Sequence, residues 1–128
     1  MDRQILDLNR VTPSEQDRIF ARGIDLFNEG RFFECHEAWE GIWLRAEGTE
    51  KLFLQGLIQA AVAILHAQRG NLEGARRQYA KSRDKLDPMP SEHRGIALAQ
   101  LRNDLQKFFA TVLSGASVPA TPTIRRIG

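Results

Sequence analysis

The residues best suited to chemistry are His36 and Glu40, which lie in an aromatic stretch running from Phe32 to Trp43. On a helical wheel of about 100° per residue, both side chains fall among the aromatic residues of one face. Residues spaced four apart project from the same side of a helix, one turn from each other. An imidazole and a carboxylate are therefore predicted to point at the same ion or substrate, on a face that would normally be apolar core.

A second polar stripe is predicted in the next helix, over residues 50–69. This segment is apolar on nearly all sides, which is typical of a central, buried helix. Its polar residues Gln55, Gln59 and His66 fall within about 40° of one another on the helical wheel. Both inner helices are thus predicted to carry polar side chains where core is expected.

One hypothesis for these stripes is a metal or catalytic site. Imidazole nitrogen and carboxylate oxygen suit zinc, iron or manganese, so the candidate metal ligands are His36, Glu40 and His66. Glu37 is the candidate general base, because a carboxyl group buried among aromatic rings has the raised pKa that acid–base catalysis uses. The cofactor that this hypothesis implies is a divalent metal ion.

Known metal motifs do not support this hypothesis. A zincin helix carries His-Glu-x-x-His, whereas position 40 is Glu. A di-iron bundle carries Glu-x-x-His on two helices, but Phe33 and Ala63 stand three positions before the two histidines. The third histidine, His93, lies beyond the helix break at Pro88.

The alternative hypothesis is a buried hydrogen-bond network that fixes the register of two helices. Its acceptors would be Glu37 and Glu40. Its donors would be Gln55, Gln59, His66 and the indole N–H groups of Trp39 and Trp43. Because buried polar groups nearly always have such partners, the sequence favours the network, and whether the protein is an enzyme stays open.

Composition and charge narrow the class of protein. With 128 residues, of which 42% are hydrophobic and 27% charged, the chain fits one globular domain. A single cysteine, Cys35, excludes a disulfide framework and is typical of a reducing compartment. No secretory signal follows Met1, and the apolar run from Leu57 to Ala67 is too short to span a membrane. We therefore expect a cytoplasmic protein that does not associate with membranes.

A basic run on the fourth predicted helix raises nucleic-acid binding as a further alternative. Its members are Arg76, Arg77, Lys81, Arg83 and Lys85, and the tail adds Arg125 and Arg126. A formal net charge of only +2 is too balanced to indicate a nucleic-acid binder. A charged helix face is more often simply solvated, so nucleic acid is not the expected partner.

The helical patterns predict an all-α fold, a compact bundle of about five helices in antiparallel helical hairpins. The predicted helices cover approximately residues 12–28, 32–45, 50–69, 72–86 and 91–113. Thr12 and Ser91 can cap the first and fifth helices, while Gly30 and Gly70 can end the first and third. The predicted domain organisation is an arm over 1–11, a single helical domain over 12–115, and an extended or mobile tail over 116–128.

Three ordered segments carry a family resemblance. They are Phe27-x-x-Gly30-x-Phe32-Phe33-Glu34-x-His36-Glu37-x-x-Glu40-x-x-Trp43, then Leu54-Gln55-Gly56-Leu57-Ile58-Gln59-x-Ala61-x-x-x-x-His66, then Gly70-Asn71-x-x-Gly74-Ala75. The combination resembles the domain of unknown function 309 family over roughly residues 20–86. These are small all-helical proteins of bacteria, archaea and plastids, so the resemblance implies a compact helical bundle. It implies no activity, because the family is named for lacking one.

The function that these observations favour is an interaction or scaffold domain, which binds a protein partner or associates with itself. A metal-dependent, hydrolase-like enzyme is the first alternative. Nucleic-acid binding through the basic fourth helix and the tail is the second.

Overall fold

The computed structural model describes residues 13–127, which form five helices and one two-stranded hairpin. The helices are α1 (Pro13–Asn28), α2 (Phe32–Trp43), α3 (Gly48–Gln68), α4 (Leu72–Leu86) and α5 (Leu98–Leu113), and the strands are β1 (Glu92–His93) and β2 (Ile96–Ala97). This confirms the predicted all-α bundle. None of the helices within the described residues combines the length and the apolarity that crossing a membrane requires. The predicted arm over 1–11 and the predicted cap Thr12 lie outside the described residues.

Short connections set the path of the chain through the bundle. Gly30 and Gly70 follow α1 and α3 with φ of 79° and 77°, the left-handed conformation that ends a helix and that glycine adopts without a steric penalty. Asn71 then caps α4, because its Oδ1 accepts a hydrogen bond from the Gly74 amide at 3.0 Å. Connections this short make consecutive helices pack against each other as antiparallel hairpins.

The core is aromatic where α1, α2 and α3 meet. Trp39, Phe27 and Phe53 are fully buried, and the Trp39 indole N–H donates a hydrogen bond to the Phe20 carbonyl oxygen at 3.1 Å. Gly23 lies against the Trp39 ring, where an added Cβ atom would come within 2.5 Å of the ring carbon Cδ1. A glycine in α1 is thus what allows the largest core side chain to reach a backbone acceptor.

Helices α3 and α4 also approach each other closely. Gly56 of α3 faces Leu86, and a Cβ atom added at Gly56 would lie 2.8 Å from Leu86 Cγ. The buried Ser82 hydroxyl of α4 donates to the Gly56 carbonyl oxygen at 2.8 Å. These contacts pack α4 closely against α3, which is the helix that the sequence predicts to be central.

The prediction that Ser91 caps the fifth helix is wrong. β1 and β2 form an antiparallel hairpin at this point, and α5 begins only at Leu98. Arg94 and Gly95 occupy the hairpin turn with φ of 48° and 75°, the two left-handed residues that a tight two-residue turn requires. Ile96 after the turn is fully buried. Burial of this side chain favours a strand over the additional helical turn that was predicted.

The tail after α5 has no helix and returns to α1. The Asn28 side-chain amide donates to the Ile124 carbonyl oxygen at 2.9 Å, and the Ile124 amide donates back to Asn28 Oδ1 at 2.7 Å. Ile124 is buried, and Arg126 forms an isolated β-bridge with Ile96. These contacts hold the tail against the end of α1, while the division of the chain at residue 115 stays a prediction.

Candidate functional site

The aromatic stretch of α2 divides between the core and a partly exposed side. The buried residues are Phe32, Cys35, Trp39 and Ile42. All the other residues of the stretch are exposed or half-buried, among them Phe33, His36, Glu40 and Trp43. The prediction that these four residues share one core face with Phe32 and Trp39 is therefore wrong. The helix turns its polar groups out of the core, because burying an unpaired carboxylate is costly.

His36 and Glu40 contact each other on the partly exposed side of α2. His36 Nε2 lies 3.2 Å from Glu40 Oε2, and the two side chains are 26% and 52% exposed. The Phe33 ring packs beside the imidazole, with 6.2 Å between the ring centroids. The structure thus brings the imidazole and the carboxylate together at a position that solvent reaches.

A matching stripe runs along α3. Its members are all half-buried: Lys51, Gln55, Gln59, Val62 and His66. Lys51 Nζ lies 4.7 Å from the centre of the Trp43 ring, which joins the stripes of the two helices beside their short connection. The two stripes together, Phe33, His36, Glu40 and Trp43 with the five α3 residues just named, are called the α2–α3 face.

The contact between Lys51 and Trp43 fixes the register of the α2–α3 face. Both helices rise about 1.5 Å per residue, so moving roughly two turns away from their connection reaches His36 on α2 and Gln59 on α3 at the same level. His66 lies about two turns further along α3, beyond the level of His36. The register therefore separates the two histidines along the face.

The predicted buried network does not form within residues 13–127. Its two acceptors, Glu37 and Glu40, lie exposed, and the Trp39 indole N–H donates instead to a backbone carbonyl of α1. His66 Nδ1 lies 3.3 Å from the side-chain nitrogen of Asn71. The predicted network is wrong because burying the two carboxylates would cost their hydration. They stay exposed, so the amides and imidazoles lack the acceptors that the prediction assigned to them.

Two buried polar atoms of the α2–α3 face have no hydrogen-bond partner within residues 13–127. They are Trp43 Nε1, a donor, and Gln59 Oε1, an acceptor. Leaving such a group buried and unpaired costs about 1–3 kcal/mol, and native structures leave few of them. The face is therefore polar, half-buried and incompletely satisfied.

The predicted metal ligands are only partly brought together. Among residues 13–127, no three His, Cys, Asp or Glu side chains lie close enough to hold a metal ion. His36 and Glu40 are in contact, whereas His66 contacts Asn71. The metal-ligand roles of these residues, and the general-base role of the exposed Glu37, stay predictions.

A charged cluster at the hairpin is not predicted by the sequence patterns. His93 Nε2 lies 3.2 Å from Glu50 Oε2, and Arg94 Nη1 donates to Glu50 Oε1 at 2.6 Å. Arg94 also pairs with Asp17 at 3.0 Å, and the His93 ring packs against Phe53 with 4.3 Å between centroids. The cluster ties the hairpin to the start of α3 and to α1. The one feature of the local sequence that indicates the cluster is Gly95, because a glycine there favours the turn that directly follows His93, a residue that contacts α3.

Cys35 belongs to the core. Its side chain is fully buried, and burial raises the pKa of the thiol. A thiol that stays protonated and inaccessible is not a nucleophile.

The basic side chains of α4 are partly paired within the helix. Arg76 Nη2 lies 2.5 Å from Glu73 Oε2, and Arg83 Nε lies 3.8 Å from Asp87 Oδ2. Each of these four side chains is more than half exposed, so the pairs add little stability. Nucleic-acid binding through this helix stays a prediction.

Comparison with known proteins confirms the family resemblance. Residues 20–78 match the family model described as a domain of unknown function, DUF309. An uncharacterised protein, YpuF, of Bacillus subtilis (strain 168) is 38% identical over 66 residues, which are 51% of this chain and 36% of that protein. An uncharacterised protein of Aquifex aeolicus (strain VF5) is 29% identical over 87 residues, which are 66% of this chain and 26% of that protein. The chain thus covers well under two thirds of the length of either relative.

Proposed function

We propose that this protein is an interaction domain, and that its α2–α3 face binds a basic, amphipathic segment of a protein partner. The observation that carries the proposal is the pair of buried, unpaired atoms on that face, Trp43 Nε1 and Gln59 Oε1. Both atoms are shielded from solvent in the free protein, so a docked chain reaches them only when the Trp43 and Gln59 side chains rotate. It then offers a carbonyl oxygen for the indole and an N–H group for the amide oxygen. Binding would therefore recover hydrogen bonds that the free protein lacks.

Apolar side chains around the face supply the area that a partner would cover. Phe33 and Leu52 are both 49% exposed, and Leu44 at the connection between the helices is 66% exposed. Phe33 lies one turn before His36 on α2, and Leu52 lies one turn before Gln55 on α3. Protein interfaces are enriched in aromatic side chains at their centre, which a polar rim surrounds.

The charge of α2 selects the chemistry of the partner. Glu37 and Glu40 are exposed, and the Glu40 carboxylate lies 3.2 Å from His36 Nε2. Opposite charges on the partner would steer association and fix its register. A segment that alternates Lys or Arg with Leu-like side chains meets both the carboxylates and the apolar rim.

The two indole N–H groups make a direct NMR test. We expect a synthetic amphipathic peptide rich in Leu and Lys to shift the Trp43 Nε1–H resonance saturably, because that donor is unpaired. The Trp39 indole resonance should stay in place, since its N–H already donates to a backbone carbonyl. A peptide with the same Leu spacing and Glu in place of Lys is the matched control. No movement at Trp43, or equal movement of both indoles, contradicts the proposal.

Charge-neutral variants locate the binding surface. Glu37→Gln combined with Glu40→Gln should weaken peptide binding about tenfold, since each removes a charged partner worth about 0.5–1 kcal/mol. The control is Asp84→Asn combined with Glu92→Gln, which makes the same change in net charge at exposed positions outside the face. If both double variants lose affinity equally, binding reflects total charge and not this face. A Trp43 shift that depends on protein concentration without peptide would instead identify a second copy of the chain as the occupant.

A metal-dependent hydrolase is the second candidate function, and the 3.2 Å contact between His36 and Glu40 favours it. The test is elemental analysis of untagged protein purified without chelator, beside a His36→Ala, His66→Ala variant checked for folding. Stoichiometric zinc, iron or manganese in the parent, absent from the folded variant, would replace the interaction proposal with the enzyme. If the parent contains no metal and the folded variant binds the peptide as tightly as the parent, the result would support the interaction domain.

A further inference from the structure

A polar cleft lies between α4 and α5, on helices that do not form the α2–α3 face. It has a volume of about 270 Å³, and its lining includes Tyr79, Arg83 and Asp87 from α4 and its end, with Arg102, Asn103 and Gln106 from α5. Two arginines, a tyrosine and two side-chain amide residues therefore line one small space. Asp87 is the one acidic side chain among the lining residues.

Arg102 is held in place by backbone and keeps free donors. Its Nη1 donates to the carbonyl oxygens of Leu86, Met89 and Pro90 at 3.0, 2.9 and 3.3 Å. These bonds anchor the guanidinium where α4 ends. Its Nε and Nη2 make no hydrogen bond to any of residues 13–127 and are open to solvent. A guanidinium fixed through one nitrogen, with the other two free, is preorganised for a bidentate oxyanion.

Arg83 and Tyr79 complete a second set of donors. The Tyr79 ring stacks on Phe109, with 4.3 Å between centroids and 18° between planes. The Arg83 guanidinium carbon lies 5.4 Å from the centre of the Tyr79 ring. Burial raises the pKa of the Tyr79 phenol, so the hydroxyl keeps its proton at neutral pH and can donate it in a hydrogen bond.

The ion pair that competes for Arg83 is weak. Arg83 Nε lies 3.8 Å from Asp87 Oδ2, and the two side chains are 58% and 56% exposed. Exposed pairs at this distance contribute little, so a ligand with stronger acceptors can displace the carboxylate. Two guanidinium groups and a phenol suit a dianion with three terminal oxygens better than a carboxylate with two.

We propose that the α4–α5 cleft binds the phosphate group of a small phosphate monoester. Arg102 takes two phosphate oxygens through Nε and Nη2, Arg83 neutralises the remaining charge, and the Tyr79 hydroxyl donates to the third oxygen. Asn103 and Gln106 line the cleft on α5, where their amides meet the rest of a small ligand. This site is independent of the proposed peptide-binding face.

Calorimetric titration of the full chain with glycerol phosphate, at constant ionic strength set by chloride, tests the proposal. We expect saturable binding at one site. Arg83→Gln should weaken it about tenfold or more, the loss typical of a charge-assisted hydrogen bond. Arg77→Gln is the matched control, because Arg77 is an exposed arginine of the same helix that does not line the cleft. Its effect should stay within about twofold, as expected for a screened charge.

Two further variants distinguish this cleft from general attraction of anions. Asp87→Asn removes the competing carboxylate and should tighten binding, whereas Tyr79→Phe keeps the aromatic stack and should weaken it. Absence of saturable glycerol phosphate binding overturns the proposal. So do equal losses in Arg83→Gln and Arg77→Gln, or an Asp87→Asn variant that binds no more tightly than the parent.

Discussion

Replacing Gly23 by alanine is predicted to destabilise the protein, although alanine is the better helix former. The added Cβ atom would lie 2.5 Å from Trp39 Cδ1 and Cε2, well inside the usual carbon–carbon contact distance of about 3.5–4.0 Å. Trp39 is fully buried, so its ring cannot retreat without displacing other core side chains. A retreat would also break the 3.1 Å hydrogen bond to the Phe20 carbonyl oxygen.

The expected loss follows from three terms. Overpacking a well-filled core costs about 1–3 kcal/mol. Leaving the buried Trp39 indole N–H unpaired costs about 1–3 kcal/mol more. Replacing a helical glycine by alanine returns about 1 kcal/mol. The free energy of unfolding of Gly23→Ala should therefore fall by about 1–5 kcal/mol.

Gly41→Ala is the matched control for this substitution. Gly41 is exposed in α2, and nothing lies within 4 Å of an added Cβ atom. The same chemical change there should raise the free energy of unfolding by about 0.5–1 kcal/mol. Urea unfolding followed by far-UV circular dichroism measures both. If Gly23→Ala proves as stable as Gly41→Ala, the close approach of α1 to the Trp39 ring does not limit stability and the reasoning is refuted.

Three other substitutions test contacts outside the candidate sites. Asn28→Ala removes both hydrogen bonds to Ile124. Limited proteolysis should therefore cleave the tail faster than in the parent, while the helices stay resistant to the protease. Unchanged cleavage would show that other contacts hold the tail. Glu50→Gln should lower the free energy of unfolding by about 1–3 kcal/mol, because Arg94 loses a charge-assisted bond, and urea titration against the parent measures the loss. Burial raises the pKa of the Cys35 thiol, so the folded protein retains a proton that the unfolded chain releases above about pH 8.5. The free energy of unfolding should therefore fall as pH rises past that value, and it should fall less steeply in Cys35→Ala. Urea titrations across the alkaline range measure both. Equal dependence on pH in the two proteins would contradict the role of the thiol.

Local sequence signals were sufficient for most of the helices. The predicted bounds of α4, Leu72 to Leu86, are those of the structure, because an asparagine cap and a proline break act on neighbouring residues alone. The hairpin before α5 depends on a distant contact. Ile96 is buried, and it bridges to Arg126 thirty positions away in the tail. The hydrophobic pattern within residues 91–113 contains no sign of the pairing between Ile96 and Arg126. The pattern therefore predicts a helix over the whole segment.

The candidate site shows a different limit of sequence patterns. A helical wheel places His36 and Glu40 beside the aromatic residues of α2 but does not say which angle is covered by a neighbouring helix. The cost of burying a carboxylate decides between the two sides, and Glu40 ends 52% exposed. His93 illustrates the same limit, because its contact with Glu50 joins residues 43 positions apart.

Unused hydrogen-bonding capacity distinguishes the two proposed binding sites from the other polar clusters. Both oxygens of Glu50 are already occupied by His93 and Arg94, so that cluster has little left to offer a ligand. Gln59 Oε1 and Arg102 Nη2, in contrast, have no hydrogen-bond partner among the described residues. A ligand stabilises the folded state by its affinity for that state alone. Because the α2–α3 face and the α4–α5 cleft share no residue, the increases in thermal stability produced by the basic peptide and by glycerol phosphate should add.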